Sequence, residues 1–302
     1  MSVPIPPGLT RTDRGPGWAD WLDQLPGLVT ELLDEWGLTV DGPATHGECA
    51  LVVPVRTDGR AAVLKVSWPH WEAATEHVAL QRWAGNGAVE LFRADPHRFA
   101  LLLERAGSTD LTPVPIDEAC AVIGGLYNRL HVPAPGRLRS LSSQVIDWTD
   151  RLAGLPRDAP VPRRLVDRAV GIGRELAADP GTDGTLVHTD LHPGNVLAAE
   201  REPWLVIDPK PLSGDPAYEV APMLWNRWDE ALASGDVRSA VRRRLEMVVD
   251  AAGLDEDRAR AWVQVRMMTN ALWVVEEAQG PVPDSGHERI GVAVTVTKAV
   301  LD

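Results

Sequence analysis

The run LVHTDLHPGNVL, residues 186 to 197, holds two histidines, an aspartate and an asparagine within eight residues. Two chemistries can use such a set. In an extended strand His188, Asp190 and His192 share a face, because alternate side chains point the same way, and zinc or manganese accepts such donors. That is the arrangement of a metal-dependent hydrolase. Pro193-Gly194 interrupts any strand directly afterwards, however, and the next donors, Asn195 and Asp208, are hard oxygen ligands suited to magnesium. The same residues also have the form HxDxxxxN, in which an aspartate can accept a hydroxyl proton and an asparagine five residues on can hold magnesium. Asp208, in VIDP, is the second acid such a site needs. NVLAA and WLVID, separated by EREP, read as a hairpin whose ends bring Asn195 and Asp208 near each other. Phosphoryl transfer therefore employs more of these residues than a histidine metal site or a turn-capping histidine does.

Two further residues are anomalous for their surroundings. In AAVLKV, alternation puts Lys65 on a face with Ala61 and Val63. In the helical pattern that follows, Glu76 recurs with Ala73, Leu80 and Trp83 at offsets of three and four, so a carboxylate sits on the apolar side. Each charge is costly alone, and each can neutralise the other; Glu72, one turn earlier, is the rival partner for Lys65. Lys65 is one of only three lysines among 30 basic residues, with Lys210 and Lys298.

These residues need a frame. At 302 residues the chain is long for one core, which predicts two lobes, and 44% apolar with 24% charged residues is a globular composition. A net charge of -13 argues against a nucleic-acid partner. No window approaches the ~20 apolar residues of a membrane helix, and no signal segment opens the chain. Cys49 and Cys120 lie far apart without ligand spacing, which fits a reducing cytosol, so a cytoplasmic location is expected.

Residues 17–37 read as a helix. CALVVPVR and AAVLKVS flank an Asp-Gly turn as a hairpin, and AVELFRADPHRFALLLER reads as a second with its turn at Asp95-Pro96. WEAATEHVALQRWAGNG between them is helical. RAGSTDLTPVP, residues 105–115, has linker texture. Helices are then expected at 117–131, 142–153, 161–178, 216–232, 235–252, 255–279 and 285–301. The organisation is an α+β, bilobal one: an N-lobe at 1–104 with an antiparallel sheet and one inserted helix, a hinge at 105–115, and a mainly helical C-lobe at 116–302.

Taken together, Lys65, Glu76, LLLERAG, HTDLHPGNVL and VIDPKPLSGDPAYEVA resemble the aminoglycoside phosphotransferase family, which has a protein-kinase-like fold. DPKPLSGDPAYE and LQRWAGNGAVELF are most similar to its branch of streptomycin 6-kinases and hydroxyurea phosphotransferases. The resemblance covers roughly residues 45 to 280. It implies ATP- and Mg2+-dependent transfer of the γ-phosphate to a hydroxyl of a small molecule, an aminoglycoside such as streptomycin, with hydroxyurea or an amino sugar as the alternative. It further implies that Asp190 is the base, supported by His188, that Asn195 and Asp208 hold magnesium, and that Lys65 contacts the α and β phosphates, positioned by Glu76. The backbone from Glu104 to Ala106 would receive adenine, and Thr45 and Gly47 of ATHGECA would cover the phosphates with one glycine where kinases have a glycine-rich loop. His192 then packs or hydrogen-bonds within the loop, and Lys210 approaches the phosphates or pairs with a carboxylate. The single glycine also leaves open a non-catalytic kinase-like binding module. On the acceptor side, Asp229, Glu230, Glu276 and Glu277 are acids able to meet amino or guanidino groups, or simply a solvated face, and Trp225, Trp228 and Trp273 can stack on a sugar or cation or form core.

Overall fold

The computed structural model describes residues 3–11, 14–278 and 280–301. They divide into two compact units. One holds the residues up to Thr109 together with Leu197–Lys210; the other holds Asp110–Val196 and the residues from Pro211 onward.

The first unit begins with a short helix α1 (Pro7–Thr10) and a long one, α2 (Trp18–Trp36). Trp18, Trp21, Leu25, Val29, Leu32 and Trp36 of α2 recur every three or four residues and are all buried. Gly37, at φ 64°, closes α2 by donating its amide to the Asp34 and Leu33 carbonyls. An antiparallel sheet follows: β1 (Thr39–Val40), β2 (Thr45–His46), β3 (Ala50–Thr57), β4 (Arg60–Ser67), β5 (Leu91–Asp95) and β6 (Ala100–Glu104), in the order β1-β3-β4-β6-β5 with β2 also on β3. Both expected hairpins are present, the first turning at Asp58-Gly59. Ala62, Leu64 and Val66 of β4 pack into one core with α2, so the period of two turns Lys65 to the other face.

The helix expected from Trp71 is shorter, α3 (Glu76–Trp83). Residues 71–75 form turns instead, and Trp71 is exposed there, so it adds nothing to the apolar face that would extend the helix. The strands Val196–Ala198 and Trp204–Val206 pair as expected. Leu197–Lys210, which the sequence placed in the C-lobe, belongs to the first unit. Its backbone explains why: Val89 donates to Val206, Val206 to Gly87, and Gly107 to Ala198. A Cβ on Gly107 would stand 2.9 Å from the Ala198 carbonyl oxygen. Gly107→Ala is expected to destabilise the protein by about 1–3 kcal/mol through this overlap, read as a lower urea midpoint at unchanged m.

The second unit is helical, with α4 (Ile116–Leu130), α5 (Leu141–Ala153), α6 (Arg163–Ala178), α7 (Pro222–Trp225), α8 (Trp228–Ala233), α9 (Val237–Ala252), α10 (Glu256–Glu277) and α11 (Asp284–Ala299). α10 is its central element. Trp262, Val263, Val265, Met267, Met268, Ala271, Leu272 and Val274 are buried along it, and it packs on α5, α6 and α11. Asp255 caps α10 by accepting the Arg258 amide at 2.7 Å. The last residue expected in this helix, Gln279, lies outside the described residues.

The single helix expected over 216–232 is three pieces: a 3₁₀ turn (Pro216–Val220), α7 and α8. Pro222 starts a new helix because its ring leaves no N–H for the preceding one, and Arg227, at φ 53°, turns the chain left-handed before α8. A second β pair, Thr185–Val187 with Leu212–Gly214, was not expected; strands of three residues carry too little periodicity to read. Among the described residues no helix is long and apolar enough to cross a membrane.

Candidate active site

In the first unit Lys65, Glu76 and Asp208 converge. β4 carries the lysine inward, where it faces Val52 and Leu101 across the sheet. α3 supplies the glutamate at its first residue. Lys65 Nζ lies 2.8 Å from both oxygens of Glu76 and 2.5 Å from Asp208 Oδ1. Lys65 and Glu76 are buried while the Asp208 side chain is 46% exposed, so the cluster has one wet edge. Burial opposes the lysine charge, but Asp208 and Glu76 outweigh it and hold the ammonium above its ordinary pKa. Burial also raises the Glu76 carboxyl, with Lys65 opposing it. Glu72 is not the partner; its carboxylate stands 3.8 Å from His70. Asp208 itself sits beyond the strand at φ 56°, a left-handed conformation rare for a residue with a Cβ.

The remaining candidates of this unit are spread along it. The Glu104 carboxylate accepts from Arg201 Nη2 at 2.8 Å and the Glu90 amide at 3.0 Å. Burial works against its charge, yet these donors hold its pKa below the ordinary value. The Ala106 amide donates to none of the described residues, so it can serve a ligand. Thr45 and Gly47 are exposed, in β2 and in the tight turn where Gly47 donates to Ala50 at 3.0 Å. α1 lies against the middle of this segment, where any side chain at Gly8 would collide with the His46 ring.

In the second unit the HTDLHPGN run is a loop locked by its own side chains. His188 is fully buried and its Nδ1 accepts the Asp190 amide at 3.2 Å. His192 Nδ1 accepts from Gly194 at 3.2 Å and caps the 3₁₀ turn Pro193–Asn195. Asn195 Nδ2 donates to the Asp190 carbonyl at 2.9 Å, which turns its amide oxygen away from that carbonyl. Thr189, a β-branched residue, is held at φ 66°.

What holds Thr189 there is a residue given no role from sequence. Glu219, fully buried, accepts the Thr189 amide at 2.5 Å on Oε1 and contacts His131 Nε2 at 2.7 Å through Oε2. Tyr127 donates its hydroxyl to the Glu219 carbonyl at 2.7 Å and stacks on His131. Its phenol pKa is raised by burial and by Glu219. The signal was present as a carboxylate inside the apolar run AYEVA. Glu219→Ala would remove the carboxylate that the Thr189 amide and His131 contact, and the loss of such a buried hydrogen bond costs about 1–3 kcal/mol. We expect a lower unfolding midpoint together with a reduced kcat, measured on the same preparation.

The histidine metal site does not form. Both histidines spend Nδ1 on backbone amides, and among the described residues no group of three or more His, Cys, Asp or Glu is arranged to hold a metal. Asn195, in the second unit, and Asp208, in the first, each carry a hard oxygen donor of the kind magnesium takes.

Three of the four acids expected on the acceptor side are engaged in ion pairs. Glu230 pairs with Arg227 at 2.6 Å, Glu276 with Arg151 at 3.0 Å and Glu277 with Arg289 at 2.9 Å, and all four acids, Asp229 included, are exposed. Trp225, Trp228 and Trp273 are half-buried.

Residues 35–278 match the family described as aminoglycoside/hydroxyurea antibiotic resistance kinase. A streptomycin 6-kinase of Streptomyces glaucescens is 42% identical, over 93% of this chain and 90% of that relative. A hydroxyurea phosphotransferase of Kitasatospora aureofaciens is also 42% identical, over 93% and 83%. Among solved structures, aminoglycoside phosphotransferase APH(4)-Ia in ternary complex with ADP and hygromycin B has a TM-score of 0.59 at 18% identity, over 90% of this chain and 98% of that one. The likeness at that identity is one of fold, which is protein-kinase-like.

Proposed function

Because this chain belongs to the aminoglycoside/hydroxyurea antibiotic resistance kinase family, we propose that it transfers the γ-phosphoryl group of ATP to a hydroxyl of streptomycin or a closely similar aminoglycoside, in the cytoplasm. The observation that carries the reading is the Lys65–Glu76–Asp208 cluster: a buried, neutralised lysine with one wet carboxylate suits phosphate binding. Asp190 takes the proton of the acceptor hydroxyl as its oxygen attacks the γ-phosphorus, the bond to the β–γ bridging oxygen breaks, and ADP leaves. Lys65 holds the α and β phosphates, fixed in place by Glu76, and His188 and Asn195 keep the Asp190 backbone from drifting. Magnesium, held by Asn195 and Asp208, would supply neutralisation of the phosphate charge. The Glu104–Ala106 backbone receives the adenine, and Thr45 and Gly47 lie over the phosphates.

Hydroxyurea is the second acceptor, since relatives named for the two acceptors are equally similar at 42%. A screen of acceptors by coupled ADP release tests the proposal. Streptomycin-dependent ADP release that requires magnesium is expected; release with hydroxyurea alone would move the assignment to the second acceptor, and release with no acceptor offered would overturn it.

A further inference from the structure

α10 is buried on most sides, yet it carries a guanidinium among aromatic rings. The Cζ of half-buried Arg266 lies 5.1 Å from the Tyr218 ring centroid, 5.2 Å from Trp273 and 5.8 Å from Trp225. Nη1 donates to the Tyr218 hydroxyl. Among the described residues no carboxylate pairs with Arg266, and its buried Nε has no acceptor. Other inner arginines of this unit are provided for. Arg258, on the same helix, meets Asp179 and Asp215, and Arg244 donates to the carbonyls of Asn226 and Arg227. Aromatic faces attract a cation, but they satisfy none of its in-plane N–H groups. Arg266 is thus held in place with donors to spare.

Its position relates it to the catalytic loop. Tyr218, which receives its hydrogen bond, is followed directly by Glu219, whose carboxylate holds the Thr189 amide beside Asp190. We propose that Arg266 is an acceptor-recognition residue. The three rings fix the guanidinium plane, the spare N–H groups of its terminal nitrogens take a carbonyl or hydroxyl oxygen of the acceptor, and its charge keeps cationic groups of the acceptor out of the aromatic box. The proposal rests on the phosphotransferase reading above.

The test compares the full-length wild type with Arg266→Gln and Arg266→Lys. Rates are measured with streptomycin and with hydroxyurea at saturating ATP, and thermal midpoints are taken on the same samples. Acceptor KM is expected to rise about tenfold or more in both variants, because lysine keeps the charge but loses the planar fork, while ATP KM stays at the wild-type value. Should Arg266→Gln fail to fold, the lysine variant, which keeps a cation over the rings, carries the same prediction. A fall in midpoint and kcat with acceptor KM unchanged is the pattern of a purely structural arginine and overturns the inference. A wild type that releases ADP with neither acceptor removes the proposed function first, and this inference with it.

Discussion

Asp190→Ala is expected to lower kcat by about 10²–10⁴-fold, the usual worth of a positioned general base, while the KM for ATP stays within about twofold. Asp190 sits between two devices that restrain its backbone, the His188 ring at its amide and the Asn195 side chain at its carbonyl. Its neighbour Thr189 is fastened in a left-handed conformation by Glu219. Backbone strain of this kind costs on the order of 1–3 kcal/mol and persists where the surroundings over-determine it. None of these restraints passes through the Asp190 carboxylate, so they remain when that group is removed, while the proposed proton acceptor is lost. Asp190→Asn, which keeps the shape, is expected to match the alanine variant. Steady-state kinetics with a circular dichroism check separates this outcome from simple unfolding.

Lys65→Met is expected to be the most destabilising single change in the first unit, by about 3–5 kcal/mol, because it leaves the fully buried Glu76 carboxylate without its cation. Burial already raises the folded-state pKa of Glu76, and removing Lys65 removes what lowers it, so the folded variant binds a proton more readily than the unfolded chain. Its stability therefore rises as pH falls through the folded pKa toward the ordinary glutamate value of about 4.3. Wild type lacks the vacated cation site and is expected to show a smaller gain over that window. The double variant Lys65→Met/Glu76→Leu should recover most of the stability, since replacing a buried ion pair by apolar groups is often neutral. It should recover no activity, because the proposed phosphate contact of Lys65 is gone. Urea titrations across pH together with kinetics on both variants measure this.

The same pair illustrates what was legible beforehand. Lys65 and Glu76 each violated a local pattern, one on a strand and one on a helix, and two violations with opposite charge are informative where either alone is not. The hairpins and long helices were equally plain, since turn chemistry and periodicity act over short stretches. Glu219 was not, because its partners Thr189, His131 and Tyr127 come from segments 30, 88 and 92 residues away. Nor were the arginines that engage Glu276 and Glu277 visible, as Arg151 and Arg289 reach them only through tertiary packing. Residues 216–232 misled for a local reason: the apolar spacing is helical, but Pro222 and the left-handed Arg227 cut it into pieces. Arg266 had no sequence signature at all, since its box of Tyr218, Trp225 and Trp273 exists only in the folded unit.

The most direct measurement is of the product itself. The full-length protein is incubated with ATP, magnesium and streptomycin, in parallel with hydroxyurea, and the small molecules are followed by ³¹P NMR. The predicted result is a phosphorylated acceptor that appears in step with ADP in the wild type and is absent with Asp190→Ala. Formation of ADP and inorganic phosphate without a phosphorylated acceptor, or an undiminished product from Asp190→Ala, would contradict the account.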